Sequence, residues 1–138
     1  MILYKYKKES SGRHGEFILR PVADVYIRSS SGVWIEFHPY IDSGADVTLI
    51  PLSLGKLIGL SLETQKIEQI GGIRGSVPVI YQQSLLRIGN VEIVTRVAWA
   101  LTEEVPPLLG RADVFDRFDV TFRQHEGIII FEKLTTWV

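Results

Sequence analysis

Tyr40-Ile41-Asp42-Ser43-Gly44-Ala45-Asp46-Val47-Thr48-Leu49-Ile50-Pro51 is the stretch on which the reading of this chain turns. A strand-forming run delivers a carboxylate, a hydroxyl and a glycine into a tight turn, and a second alternating run follows at once. Taken alone, Asp42-Ser43-Gly44 is ordinary turn chemistry, because Asp and Ser bond nearby backbone and Gly accepts positive φ. Two later segments give it weight. Ile70-Gly71-Gly72-Ile73-Arg74-Gly75 is dense in glycine, and Leu108-Leu109-Gly110-Arg111, preceded by Pro106-Pro107, leads into Ala112-Asp113-Val114-Phe115-Asp116-Arg117-Phe118.

Composition narrows the classes. A length of 138 residues suits one domain, 1–138, with a core that needs no staples. Hydrophobic content of 46% and charged content of 22% are those of an ordinary globular protein. A net charge of −1 gives no broad field for nucleic acid or acidic membranes. The chain has no cysteine, so disulfide and thiolate chemistry are excluded. His14, His38 and His125 are scattered without ligand spacing, so no metal and no cofactor are expected. Lys5, Lys7 and Lys8 are followed by no long apolar stretch, so neither a secretory signal nor a membrane span is expected, and a cytoplasmic location is. The glycine-dense segment is not a phosphate-binding loop, since no Lys-Ser/Thr follows it. No nucleophile-elbow motif supports serine hydrolysis. Trp34, Trp99 and Trp137 are too dispersed for a base-stacking platform and read as core or interface residues.

Periodicity is mostly two, which argues for strands. Residues 16–28 and 32–41 read as strands joined by Ser29-Ser30-Ser31-Gly32. Residues 85–88 and 91–101 flank Gly89-Asn90, a two-residue hairpin signal. Residues 118–122 and 127–131 form another pair, and Ile128-Ile129-Ile130 suggests a strand covered on both faces. Residues 9–15 read as a loop. Helix is scarce: 51–58, with Pro51 in the first turn, and 112–117, whose charges suit the helix dipole.

The three segments, in this order and spanning about residues 40 to 118, resemble the retropepsins, the retroviral type of aspartic protease. The resemblance implies a mostly-β, closed barrel-like acid-protease fold with one or two short helices. It implies a catalytic Asp42, supported by Ser43, whose hydroxyl holds two loops in register across a dimer, and by Gly44, over which substrate backbone passes. It assigns Ala45, Asp46, Leu49, Pro106 and Leu108 to substrate binding, with a preference for apolar side chains. Gly71, Gly72, Ile73, Arg74 and Gly75 become a mobile flap. Arg111 becomes the partner of Asp46, a pairing that also reads as a structural ion pair, because a planar guanidinium binds a carboxylate bidentately.

Aspartic proteolysis needs two carboxylates, and the Asp-Ser-Gly motif occurs once. The expected enzyme is therefore a homodimer with one site on its twofold axis, acting on peptide or protein substrates. The alternative is a catalytically weak module of the same fold that binds peptides or dimerises. Two departures stand out. Arg74 occupies a place where retroviral flaps usually carry glycine. Retroviral enzymes also knit their dimer with short terminal strands, whereas about twenty residues here precede the first expected core strand. The apolar Trp137 and Val138 are expected to be buried.

Overall fold

A computed structural model of the protein describes residues 1–62, 66–72 and 75–135. The expectations placed on Ile73, Arg74, Trp137 and Val138 lie outside the described residues. In chain order the strands are β1 (Ile2–Lys5), β2 (Lys7–Ser10), β3 (Phe17–Arg20), β4 (Val25–Arg28), β5 (Trp34–Phe37), β6 (Tyr40–Ile41) and β7 (Thr48–Ile50). Helix α1 (Leu52–Leu57) follows. Then come β8 (Glu68–Gly72), β9 (Gly75–Ile88), β10 (Val91–Ala100), β11 (Leu108–Leu109), a short helical segment (Arg111–Phe115), β12 (Phe118–Arg123) and β13 (Ile128–Lys133). The chain is mostly strand, and its largest sheet curls into a half-barrel.

That sheet runs β5-β4-β9-β10-β7-β11-β6, with β8 hydrogen-bonded to β9 off this path. Its spine is the hairpin of β9 and β10, which turns at Gly89-Asn90 and keeps register from Ile88↔Val91 to Val79↔Ala100. In the first half of β10, Ile93, Thr95 and Val97 are buried while Glu92, Val94 and Arg96 face out, the alternation of a half-covered sheet. From Val97 to Ala100 every residue is buried, because both faces are covered. Trp99 faces the main core beside Ile50, Leu54 and Ile58, whereas Ala98 and Ala100 join Val79 in a second cluster.

Helix α1 packs on β10 at Trp99. The Trp99 indole N–H donates to the Leu52 carbonyl at 3.1 Å. Pro51 sits at the helix entrance, and the Ser53 backbone N–H and hydroxyl both donate to the Glu103 carboxylate, at 2.8 and 2.5 Å. These bonds hold the Glu103 carboxyl below the usual carboxylate range. The helix can approach this closely only because residue 55 has no side chain.

A separate sheet, β1-β13-β12, closes the other side of the main core. The central strand β13 is covered on both faces, with Ile129 and Phe131 buried on one and Ile130 on the other, as the run Ile128-Ile129-Ile130 implies. Phe131 meets the rings of Tyr4 and Phe118 edge-on at 5.8 and 5.7 Å. Strands β2 and β3 form a two-stranded ribbon.

Several expectations need correcting. The first strand of the core begins at Ile2, not some twenty residues in: Ile2 and Tyr4 point inward while Leu3 and Lys5 point out. Residues 9 and 10 belong to β2, so the loop is shorter than 9–15. The run 16–28 is two strands separated at Pro21, and 32–41 is interrupted by His38-Pro39. Strand β9 begins ten residues before 85, although Pro78 within it lacks the N–H of a regular ladder. The helix expected over 112–117 is broken, with Ala112 extended (ψ 127°) and Asp113 left-handed (φ 67°). Competing bonds explain the break. The Asp113 carboxylate accepts the Arg96 backbone N–H at 2.8 Å, and the Ala112 N–H donates to the Asp46 carbonyl at 2.9 Å.

A methyl group at position 55 would lie 1.9 Å from Trp99 Nε1, inside a wall of buried side chain. Gly55→Ala is therefore expected to lower stability by about 1–3 kcal/mol through overpacking, read as a lower urea midpoint at unchanged slope.

Candidate active site

Strands β6 and β7 are joined by the turn that carries Asp42, yet they do not pair with each other. Strand β11 lies between them, parallel to β6 and antiparallel to β7. The turn must therefore arch over the end of β11, and the backbone locks it there. The Asp42 N–H donates to the Leu109 carbonyl at 3.0 Å, and the Arg111 N–H donates to the Ala45 carbonyl at 2.9 Å. The Gly110 N–H donates to the Thr48 hydroxyl at 3.2 Å inside the core, where Thr48 is fully buried. A Cβ on residue 110 would lie 2.3 Å from the Val47 carbonyl oxygen, so only glycine lets the two segments meet.

The Asp42 side chain is half-buried. One of its carboxylate oxygens accepts the Gly44 N–H at 2.9 Å, which fixes the carboxylate against its own turn. Two cavities meet at this group. One, of about 500 Å³, is lined by Gly44, Ala45, Asp46, Val47 and Leu49 from the turn and β7, by Ile70, Gly71 and Gly72 from β8, and by Tyr81 from β9. The other, of about 410 Å³, is lined by Arg20, Pro21, Tyr40, Ile41 and Pro106. Asp42 and Leu108 line both. The result is a groove with a carboxylate near its middle and mostly apolar walls. The small cluster of Val79, Ala98 and Ala100, with Val47, Leu49, Ile70, Val77 and Tyr81 against it, lies behind the first cavity.

The sequence-derived candidates fall as follows. Ala45, Asp46, Leu49 and Leu108 line the first cavity, and Pro106 lines the second. Ser43 is exposed at the turn. Arg111 is ion-paired with Asp46 across the loop. Gly71, Gly72 and Gly75 lie at the end of the β8–β9 hairpin, whose last described pair is Gly72↔Gly75, and all three border a shallower hollow beside Leu49. Ile73 and Arg74 are outside the described residues. Among the described residues no group of three or more His, Cys, Asp or Glu could hold a metal ion.

Sequence reasoning assigned no role to Tyr81, Val47, Arg20, Pro21 or Tyr40. The alternation of Val77, Val79 and Tyr81 was readable at period two, but Pro78 breaks the strand signal. Arg96 stacks over the Tyr81 ring at 3.8 Å to its centre and holds that wall upright. Arg20 and Pro21 reach the groove through contacts distant in sequence, and Tyr40, two residues before Asp42, is tied to the same distant ribbon. The Ile41 N–H donates to the Pro21 carbonyl at 2.9 Å, and the Tyr40 hydroxyl donates to Glu9 on β2. Hydrogen bonding to Glu9 holds the Tyr40 phenol above the ordinary tyrosine value.

Comparison with known proteins agrees with this architecture. The chain is similar to EIAV protease complexed with the inhibitor HBY-793, with a TM-score of 0.53 over 74% of this chain and 88% of that chain. Sequence identity is 20%, so the likeness is one of fold. No protein-family model matches the chain, and no curated protein does. Mostly strand, with a curled half-barrel sheet and two short helices, the chain has a retropepsin-like fold.

Thr48→Val keeps shape but leaves the buried Gly110 N–H unpaired. It is expected to cost about 1–3 kcal/mol in chemical denaturation. Tyr40 gives a pH test. A phenol whose folded pKa is raised contributes stability in full below its unfolded value and loses it as pH climbs through the folded value. The stability difference between wild type and Tyr40→Phe, about 1 kcal/mol at neutral pH, should therefore shrink in strongly alkaline buffer. A difference that is flat with pH would contradict the Tyr40–Glu9 bond.

Proposed function

We propose that this protein is a homodimeric aspartic endopeptidase of the retropepsin type, with one site formed by Asp42 of each subunit on a twofold axis. The observation that carries the reading is the position of Asp42. A carboxylate fixed by its own turn stands where two apolar-walled cavities join. One such carboxylate per chain is half of the required chemistry. Two brought together cannot both ionise, so they share one proton and titrate as a coupled pair.

In that dimer the ionised Asp42 takes a proton from water as general base, while the protonated one donates to the oxygen of the scissile carbonyl. The water oxygen bonds to the carbonyl carbon and a tetrahedral diol forms. The protonated Asp42 then gives its proton to the amide nitrogen while the other Asp42 takes one from a diol hydroxyl, so the C–N bond breaks, the carbonyl re-forms in a carboxyl group and the pair returns to its single shared proton. The Ser43 hydroxyls, exposed at the two turns, hold the loops in register. The β8–β9 hairpin serves as the flap and offers its backbone to an extended peptide, the usual mode of strand addition. Leu49, Ile70, Pro106 and Leu108 favour apolar side chains around the cleaved bond, and Asp46 lies by the substrate backbone.

The test is cleavage of an unstructured apolar peptide library from acid to neutral pH. Wild type should cut with a bell-shaped pH profile and be blocked by a statine-type inhibitor. Asp42→Asn should lose a factor on the order of 10²–10⁴ or more in rate at unchanged thermal stability. Peptide binding without cleavage by the wild type would leave a binding module and end the protease assignment.

A further inference from the structure

We propose that the second copy docks on the outer edge of β3, the two β3 strands pairing antiparallel about the twofold axis with Ile18 opposite its own counterpart. This rests on the dimeric reading above and names the surface that builds the dimer.

Strand β3 is anomalous. Phe17, Ile18 and Leu19 are consecutive, apolar and 65%, 38% and 50% exposed. Of the thirteen described strands it alone has every residue exposed. Its one described strand partner is β2, so its far edge carries unpaired backbone. A two-stranded ribbon is marginal by itself, and a flat apolar edge is a template for pairing with another chain. The other edge strands differ. In β1 and β12 the inward residues are apolar, while the exposed ones include Lys5, Asp119 and Arg123.

Three observations select a second copy as the occupant. First, the terminal strands are engaged at home: β1 pairs with β13, and β13 lies between β1 and β12. Second, the ribbon is fastened to the site. Glu9 on β2 accepts the Tyr40 hydroxyl, Pro21 at the end of β3 accepts the Ile41 N–H, and Arg20 and Pro21 share a cavity with Asp42. A copy that brings its Asp42 to this one must therefore come up against the ribbon. Third, the edge is complementary to itself. Centred on Ile18, an antiparallel pairing sets Phe17 opposite Leu19 of the other copy and Glu16 opposite Arg20, two apolar contacts closed by two ion pairs. Arg20 remains half exposed, with its nearest acid, Glu9, at 3.9 Å, and so keeps donors for that contact. The result is a four-stranded sheet β2-β3-β3-β2 beside the shared site.

The chain has no cysteine, so a single introduced thiol reports cleanly. Directly opposed residues in an antiparallel pair have Cα atoms about 4.5–5.5 Å apart, within the reach of a disulfide. Ile18→Cys should form a covalent dimer rapidly under mild oxidation, while the exposed Val33→Cys should not. In sedimentation, Ile18→Lys should weaken dimerisation by roughly 30-fold or more with an unchanged far-ultraviolet spectrum. If that variant misfolds, the cross-linking arm decides. A wild type that stays monomeric, a dimer indifferent to Ile18→Lys, or cross-linking no faster at 18 than at 33 would overturn the proposal. The two readings fail separately. A dimer cross-linked at 18 that cuts nothing upholds the docking surface and removes the protease, whereas an active dimer without the cross-link does the reverse.

Discussion

The insertion of β11 between β6 and β7 is the constraint on which the rest depends. Two strands adjacent in sequence are held apart by a third that arrives some sixty residues later, and the turn joining them must pass over its end. Three conditions make the crossing possible. The Asp42 N–H finds the Leu109 carbonyl, the Gly110 N–H finds the buried Thr48 hydroxyl, and residue 110 has no side chain to strike Val47. Each is a backbone or core condition. The position of the Asp42 carboxylate is thus set by the same contacts that seat β11 in the curled sheet, and it does not depend on long, mobile side chains.

The curled sheet serves two cores with one hairpin. Where β9 and β10 leave the Gly89-Asn90 turn, one of their faces meets solvent and their residues alternate. Where they pass behind the cleft, both faces are covered and the alternation ends. Trp99 faces α1 on one side, and Ala98 and Ala100 face the cleft on the other. Small residues on the cleft side leave room for Leu49 and Tyr81 to stand as walls. Large ones on the far side fill the volume beneath the helix. The cavity and its support are two sides of the same strand, so packing on one constrains the shape of the other.

Much of this was legible in sequence wherever the signal was local. The Asp42 turn, the Gly89-Asn90 hairpin, the apolar run of β13 and the entry of α1 after Pro51 each depend on residues within a few positions. What was not legible depends on distant partners. Strand β1 is four residues among lysines and becomes core only because β13 gives Ile2 and Tyr4 something to bury against. The run 112–117 has acceptable helix chemistry, yet Arg96 and Asp46 offer its backbone and the Asp113 carboxylate better bonds, and Asp113 is driven to positive φ. Pro78 hid the length of β9, and Tyr81 with it. Among the groove's lining residues, the Asp42 turn, Leu49, Pro106 and Leu108 are candidates that the sequence itself offers. The side reached through Arg20 and Pro21 was not, since nothing local joins those residues to Asp42.

The ion pair between Asp46 and Arg111 shows how stability and placement are divided. Their side chains are 83% and 56% exposed, and a solvent-facing pair of this kind contributes at most about 1 kcal/mol. The loop does not need it. The Ala45 and Asp46 carbonyls already accept the Arg111 and Ala112 N–H groups, each at 2.9 Å. What the guanidinium adds is direction. It holds one carboxylate at the mouth of the first cavity in a chosen orientation, while the backbone beneath holds the other, Asp42, where the two cavities meet. Losing Arg111 would therefore disturb where Asp46 points far more than whether the domain stays folded, and that separates the pair from the buried bond between Thr48 and Gly110, which does the converse.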